Sequence, residues 1–212
     1  DRVIMAKFEG KPANIVIVQL YAPTNDHSDD EVEEFYADVK KALKQVKSGD
    51  ILIVMGDMNA KVGKEKYSSV VGKYELGERI ERGTHLINFC EENKLIIMNT
   101  FFKQHPRRLY TWKSPGDGYR NQIDYLMINE WYKNSIKNAY TYPGADINSD
   151  HILLVMKMKL KLKIPHKNNR QEKADLQLLK KEDIQAQYAI EVKNRYDILL
   201  RKELLIQLHW KF

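Results

Sequence analysis

The sequence predicts a mixed α/β domain followed by a helical tail. Three observations predict it: short apolar runs that end at polar residues, amphipathic helical periods interleaved with them, and a change of pattern and charge past Leu162. Residues 1–156 hold 21 Lys and Arg against 22 Asp and Glu, a net of −1, whereas residues 157–212 hold 14 against 7, a net of +7. The whole basic excess therefore lies in the tail, where it suits contact with phosphates as well as a solvated surface.

Arg2 to Phe8 and Asn14 to Tyr21 are rich in Val and Ile and are joined by Glu9-Gly10-Lys11-Pro12, which predicts a hairpin. From Ser28 to Val46, apolar Val32, Phe35, Tyr36, Val39, Leu43 and Val46 recur three and four apart. Acidic residues open that stretch and lysines close it, as a helix dipole favours. Ile51 to Met55 is a continuous apolar run, expected of a strand covered on both faces, and it ends at Gly56-Asp57-Met58-Asn59. A polar stretch from Lys61 to Gly83 precedes a second helical pattern over Thr84 to Glu92, and Leu95 to Asn99 reads as another buried strand. Lys103 to Lys113 mixes cations with Tyr110 and Trp112, a blend suited to nucleic acid and also common in exposed loops. Ile123 to Ile128 and Ile152 to Met156 supply two further strands. A domain boundary is expected near Lys163, giving a domain of residues 1–163 and a tail of residues 164–212 that combines a cationic linker with a helix over about Lys181 to Leu200.

The single cysteine, Cys90, excludes an intramolecular disulfide and reads as a small buried hydrophobe, which fits a reducing compartment, nuclear or cytoplasmic. No apolar run approaches the roughly 18 residues of a membrane span, so no membrane partner is expected.

Tyr21, Asp57, Asn59, Asp124, Asp150 and His151 sit at the ends of the apolar runs. Each taken singly is ordinary, since Asp-x-Asn after a strand is usually a turn and Ser-Asp-His usually a cap. Together they contain what phosphodiester hydrolysis requires: a base or orienting group for water, hard oxygen ligands for a divalent cation, and donors over the phosphoryl oxygens. On this reading Tyr21, Asp57, Asn59, Asp124 and His151 converge at one edge of a single sheet.

Tyr21-Ala22-Pro23-Thr24-Asn25, Gly56-Asp57-Met58-Asn59-Ala60, Asn121-Gln122-Ile123-Asp124-Tyr125 and Ser149-Asp150-His151, in that order, resemble the successive motifs of the endonuclease/exonuclease/phosphatase superfamily. Within it the wording Tyr142-Pro143-Gly144-Ala145-Asp146 resembles the endonuclease domains of RTE-like LINE retrotransposons and craniofacial development protein 2-like sequences. The resemblance runs from about Arg2 to Lys163 and implies the C-terminal half of a two-sheet α/β sandwich of the DNase I-like fold.

By that resemblance the chain is an Mg²⁺-dependent DNA endonuclease, with Mn²⁺ as an alternative ion. Asp57 orients or deprotonates water beside Asn59, His151 held by Asp124 stabilises phosphoryl charge, and Tyr21 binds the scissile phosphate. Asp150 and Asp57 act at the metal, and Asn25, Arg107, Arg108, Trp112 and Arg120 contact DNA. A reverse transcriptase domain in a parent polyprotein is the implied protein partner. The family has Asn directly after the Pro of the first motif, whereas Thr24 intervenes before Asn25 here. The family's main metal ligand is a Glu well upstream of the Tyr motif, yet only Asp1 and Glu9 supply carboxylates before Tyr21. An impaired enzyme is therefore expected, and a non-catalytic remnant that binds nucleic acid or protein is the alternative.

Overall fold

In the computed structural model, which describes residues 2–64, 68–145, 148–161 and 179–209, the first two apolar runs pair as antiparallel strands β1 (Val3–Phe8) and β2 (Ile15–Tyr21). Helix α1 (Asp29–Leu43) then begins at Ser28 with a capping box: the Ser28 hydroxyl accepts from the Glu31 N–H, and the Glu31 carboxylate accepts from the Ser28 N–H. Each bond satisfies an amide that the first helical turn leaves without a partner. Asp29, Asp30 and Glu31 at its start and Lys40 and Lys41 at its end complement the helix dipole, and Val32, Phe35 and Val39 are buried.

Strand β3 (Ile51–Asp57) returns parallel to β2, which sets Tyr21 directly beside Asp57. Its other edge pairs antiparallel with β7 (Asp124–Asn129), setting Asp57 opposite Asp124, and β4 (Leu95–Ile97) completes the order β1-β2-β3-β7-β4. Gly56 adopts φ +143°, and a Cβ there would stand 1.9 Å from the Leu20 carbonyl oxygen. The strands approach this closely only because position 56 has no side chain.

Helix α2 (Glu81–Glu92) begins three residues before the expected Thr84. Gly83, inside its first turn, lets the Lys61 carbonyl approach to where a Cβ would lie at 1.9 Å. The fully buried Cys90 has its Sγ 3.5 Å from Met127 Sδ, which puts α2 on the sheet face carrying Met127. The alternate face carries Ile128, Ile53, Ile51, Ile15, Phe8 and Ile4 by register. Its exposure climbs from 0% at Ile128 and Ile51 to 55% at Phe8 and 64% at Ile4, so this apolar face is open at its β1 end.

Two short hairpins complete the domain, β5 (Trp112–Lys113) with β6 (Arg120–Asn121), and β8 (Ile136–Thr141) with β9 (Leu154–Met158). The sequence reading has no β8, because a register shift between Ile136 and Asn138 interrupts its alternation and only Ile136, Ala139 and Thr141 are buried. The expected strand Leu95 to Asn99 stops at Ile97, and Met98–Thr100 turns as a 3-10 helix. The expectation of one sheet carrying Tyr21, Asp57, Asn59, Asp124 and His151 also needs correction: Tyr21, Asp57 and Asp124 end strands of the five-stranded sheet, whereas His151 precedes β9 and reaches the site through a single bridge to Trp112.

The chain separates into two compact units, Asp1–Pro165 and His166–Phe212. The boundary expected near Lys163 lies outside the described residues, as does the cationic linker. The second unit contains α3 (Glu182–His209), which runs past the expected Leu200. Its Tyr188, Ile190, Val192 and Tyr196 are exposed, and Glu191 pairs with Arg195 one turn on. No helix among the described residues is long and apolar enough to cross a membrane.

Candidate active site

Three strand ends and one pinned loop make a cleft of about 420 Å³ lined by Tyr21, Asn25, Asp57, Asn59, Asp150 and His151, with Trp112 at its side. Asp57 terminates β3 and is nearly buried; its Oδ1 accepts from the Asn59 N–H at 2.9 Å. Asn59 holds a left-handed conformation, φ 44°, which suits asparagine, and its side-chain amide donates to the Ala22 carbonyl at 2.9 Å. The tight turn after Asp57 is thereby fastened to the segment leaving Tyr21.

Asp124 begins β7 under the control of two buried side chains. Thr111 Oγ1 accepts from the N–H groups of both Ile123 and Asp124, and the Asn99 amide donates to the Asp124 carbonyl. The same Thr111 segment brings in the last motif: the Ile152 N–H donates to the Thr111 carbonyl at 2.7 Å, and the Lys113 N–H to the Asp150 carbonyl at 3.0 Å. His151 is thus pinned with Nδ1 at 3.1 Å from Asp124 Oδ2 and Nε2 at 3.8 Å from Asp57 Oδ2.

Electrostatics separate the roles of these groups. The hydrogen bond with Asp124 raises the His151 pKa against partial burial, with Asp57 and Asp150 adding to the effect, so the imidazolium is favoured. Burial raises the Asp57 carboxyl, aided by the charges of Asp124 and Asp150 and opposed by the Asn59 N–H and by His151. A carboxylate so placed is a stronger base than an exposed one. Asp150 is exposed and held below its ordinary value, chiefly by the Trp112 indole N–H, which donates to Oδ2 at 2.8 Å.

The residues expected to touch DNA divide. Asn25 and Trp112 line the cleft, although the Trp112 indole N–H is engaged by Asp150. Arg107, Arg108 and Arg120 do not line it; Arg108 lies over the Tyr140 ring and Arg120 over the Tyr110 ring, at 5.4 and 4.9 Å from the centroids. Lys61 and Asn121 line the cleft without having been singled out from sequence. Lys61 falls four residues past Asp57 in a stretch that reads as polar loop, and Asn121 opens a motif whose Asp drew the attention.

For a divalent cation, Asp57 and Asp150 offer hard carboxylate oxygens of the right class. Among the described residues no group of three or more carboxylate, imidazole or thiol side chains is arranged to hold an ion. Mg²⁺ is commonly bound through one or two carboxylates with water and substrate phosphate completing its shell, so the pair fits such an ion.

Residues 15–155 match the family profile described as endonuclease-reverse transcriptase, about two thirds of the chain. The chain belongs to this family. Curated relatives are craniofacial development protein 2 from Bos taurus, 46% identical over 170 residues, and from Tragulus javanicus, 45% identical over the same length. Both alignments cover 80% of this chain, but it spans under a third of either relative, 29% and 30%. Among solved structures, the endonuclease domain of TRAS1, a telomere-specific non-LTR retrotransposon, superimposes with TM-score 0.56 at 19% identity, over 76% of this chain and 65% of that one. The AP endonuclease LMAP from Leishmania major gives 0.56 at 13% identity, over 76% and 55%. At these identities the likeness concerns the fold, which is DNase I-like.

Proposed function

We propose that the cleft hydrolyses a phosphodiester of DNA with a divalent cation, Mg²⁺ or Mn²⁺, and that the chain derives from a LINE-type element. The observation that carries this reading is His151 set between Asp124 and Asp57 at the edge where Tyr21 also ends. Asp57 orients the attacking water and takes its proton, with Asn59 holding the turn. The His151 imidazolium, oriented by Asp124, faces the charge that develops on the phosphoryl oxygens. Tyr21 and Asn25 contribute hydrogen bonds to the phosphate, and Arg107, Arg108, Trp112 and Arg120 bind flanking DNA. Asp150 and Asp57 would hold the cation, which when bound polarises a phosphoryl oxygen. The NExo protein from Neisseria, a fold neighbour at TM-score 0.54 and 15% identity, was solved with product DNA hairpin and supports a nucleic-acid substrate. A reverse transcriptase in a parent polyprotein fits the family description. A nuclear or cytoplasmic location suits both the substrate and the lone thiol.

A pair of carboxylates that recruits the rest of the ion's shell from water and substrate holds it less tightly than a set with a further side-chain ligand, and each 1.4 kcal/mol of lost transition-state stabilisation costs about tenfold in rate. The chain by itself is therefore an impaired nuclease. Nicking of supercoiled plasmid by the chain alone should be barely detectable, and fusing the N-terminal half of a related endonuclease should restore it in an Mg²⁺-dependent manner. In that fusion Asp57→Ala and His151→Ala should each lower nicking by about a hundredfold or more. A folded fusion without nicking would favour the second reading, a non-catalytic module binding nucleic acid or protein, for which the lack of a third side-chain ligand among the described residues speaks.

A further inference from the structure

Beneath the cleft, the fully buried hydroxyl of Tyr125 faces more acceptors than one hydrogen can serve. Tyr125 follows Asp124 in β7, and its Oη lies 3.3 Å from the Val62 amide nitrogen, 3.2 Å from the Ala60 carbonyl, 3.0 Å from the Gln122 carbonyl and 3.0 Å from Glu75 Oε1. A phenol has one hydrogen and accepts through two lone pairs. The Val62 N–H takes one lone pair. Were Glu75 ionised, three acceptors would compete for the single hydrogen and two would be left against the phenol oxygen without one.

A proton on Glu75 closes the count. Its O–H donates to Tyr125 Oη, and the phenol O–H is left for the Gln122 carbonyl, shared with that of Ala60. The surroundings agree: Glu75 is 2% exposed, its Oε2 has no hydrogen-bond partner among the described residues, and burial pushes its carboxyl well above the ordinary range against the opposing hydrogen bonds of Tyr125 and of the Leu76 N–H. Among the described residues, the Tyr125 phenol from β7 is bonded to it, the Asp124 charge acts on that phenol in turn, and the Arg79 guanidinium donates to the carbonyl of Val62 on the phenol's other side.

Ala60 and Val62 belong to the loop that leaves Asp57 and Asn59, and Gln122 belongs to the segment that enters Asp124. We infer that Glu75 is a positioning residue: as a neutral acid it holds the Tyr125 hydroxyl, which ties the loop of Asp57 and Asn59 to the segment of Asp124 and so sets the spacing on either side of His151. Its effect on turnover rests on the hydrolytic reading above; the link itself does not.

The test uses the full 212-residue chain with Glu75→Gln, Glu75→Ala and Tyr125→Phe. Glutamine keeps a donor for Tyr125 and cannot ionise. Because the folded-state pKa is raised, stability from the neutral acid is complete below the ordinary glutamate value and is lost as pH rises through the folded value. Glu75→Gln should therefore melt with the parent near about pH 4.5 and progressively above it towards about pH 9. The downfield proton resonance of the His151–Asp124 hydrogen bond should persist in Glu75→Gln and broaden or vanish in Glu75→Ala and Tyr125→Phe. In the active fusion these last two should lower kcat at least about tenfold with little change in KM, and glutamine should restore it.

Parallel melting of Glu75→Gln and parent at every pH would overturn the protonated state. Folded Glu75→Ala and Tyr125→Phe that keep the His151 resonance would overturn the positioning role. Should Glu75→Ala fail to fold, Tyr125→Phe and Glu75→Gln decide the matter. Should the parent fusion prove inactive, the hydrolytic reading fails while the melting profile and the resonance still test the link.

Discussion

Asp57, Asp124 and Tyr21 were legible in the sequence because each is a polar residue at one end of an apolar run, and the sheet register then makes Tyr21 and Asp124 the two neighbours of Asp57. Thr111, Glu75 and Lys61 were not, since their importance arises from partners that only the fold brings close, such as Thr111 Oγ1 on the amides of Ile123 and Asp124. The imidazole of His151 gives one of these contacts a pH dependence. Its pKa is raised by Asp124, so the pairing stabilises the fold below the unfolded imidazole pKa of about 6.5 and fades as pH rises through the folded value. Asp124→Asn should accordingly lower the melting temperature more at about pH 5.5 than at about pH 9. The ring is a third exposed, so the loss at the lower pH should be about 1 kcal/mol or less. An equal loss at both pH values, measured by thermal unfolding, would assign the Asp124 contribution to packing.

At the level of single elements, α1 was readable because every signal agrees: Ser28 with Glu31, acids first, lysines last, and apolar residues three and four apart. Removing the cap by Ser28→Ala should cost about 1 kcal/mol, seen as a lower midpoint in urea with an unchanged slope. Strand β8 was opaque because its shifted register breaks the period of two on which strand reading depends. The β2–β3 pair hides a different constraint in Gly56, whose position against Leu20 no pattern in the sequence announces. Gly56→Ala should destabilise by about 3 kcal/mol or more, because the methyl meets a backbone carbonyl and the positive φ is strained. The same change should disturb Asp57, its neighbour, so nicking by an active fusion should fall even at temperatures where the fold persists. Full stability of the alanine variant by calorimetry would refute this account of the pinch.

Across the whole molecule, the continuous apolar run Ile51 to Met55 foretold a strand covered on both faces but not how far that cover extends across the sheet. One face meets α1 and α2; the other is open at β1, where Ile4 and Phe8 project. An apolar edge of this kind favours association. The chain should self-associate at micromolar concentration in sedimentation velocity, and Ile4→Lys with Phe8→Lys should render it monomeric without lowering its melting temperature appreciably. Association that survives both lysines would locate the contact elsewhere. On the covered face, Cys90 lies against Met127 with no exposure, and burial raises its thiol far above the range in which it would ionise. A reagent that consumes thiolates can therefore reach this chain only in moments when the helical layer lifts from the sheet. The lone thiol is a built-in clock for that breathing: its labelling rate should follow the population of the opened form, slowing with anything that tightens the fold and quickening in Gly56→Ala well before a melting curve registers the damage.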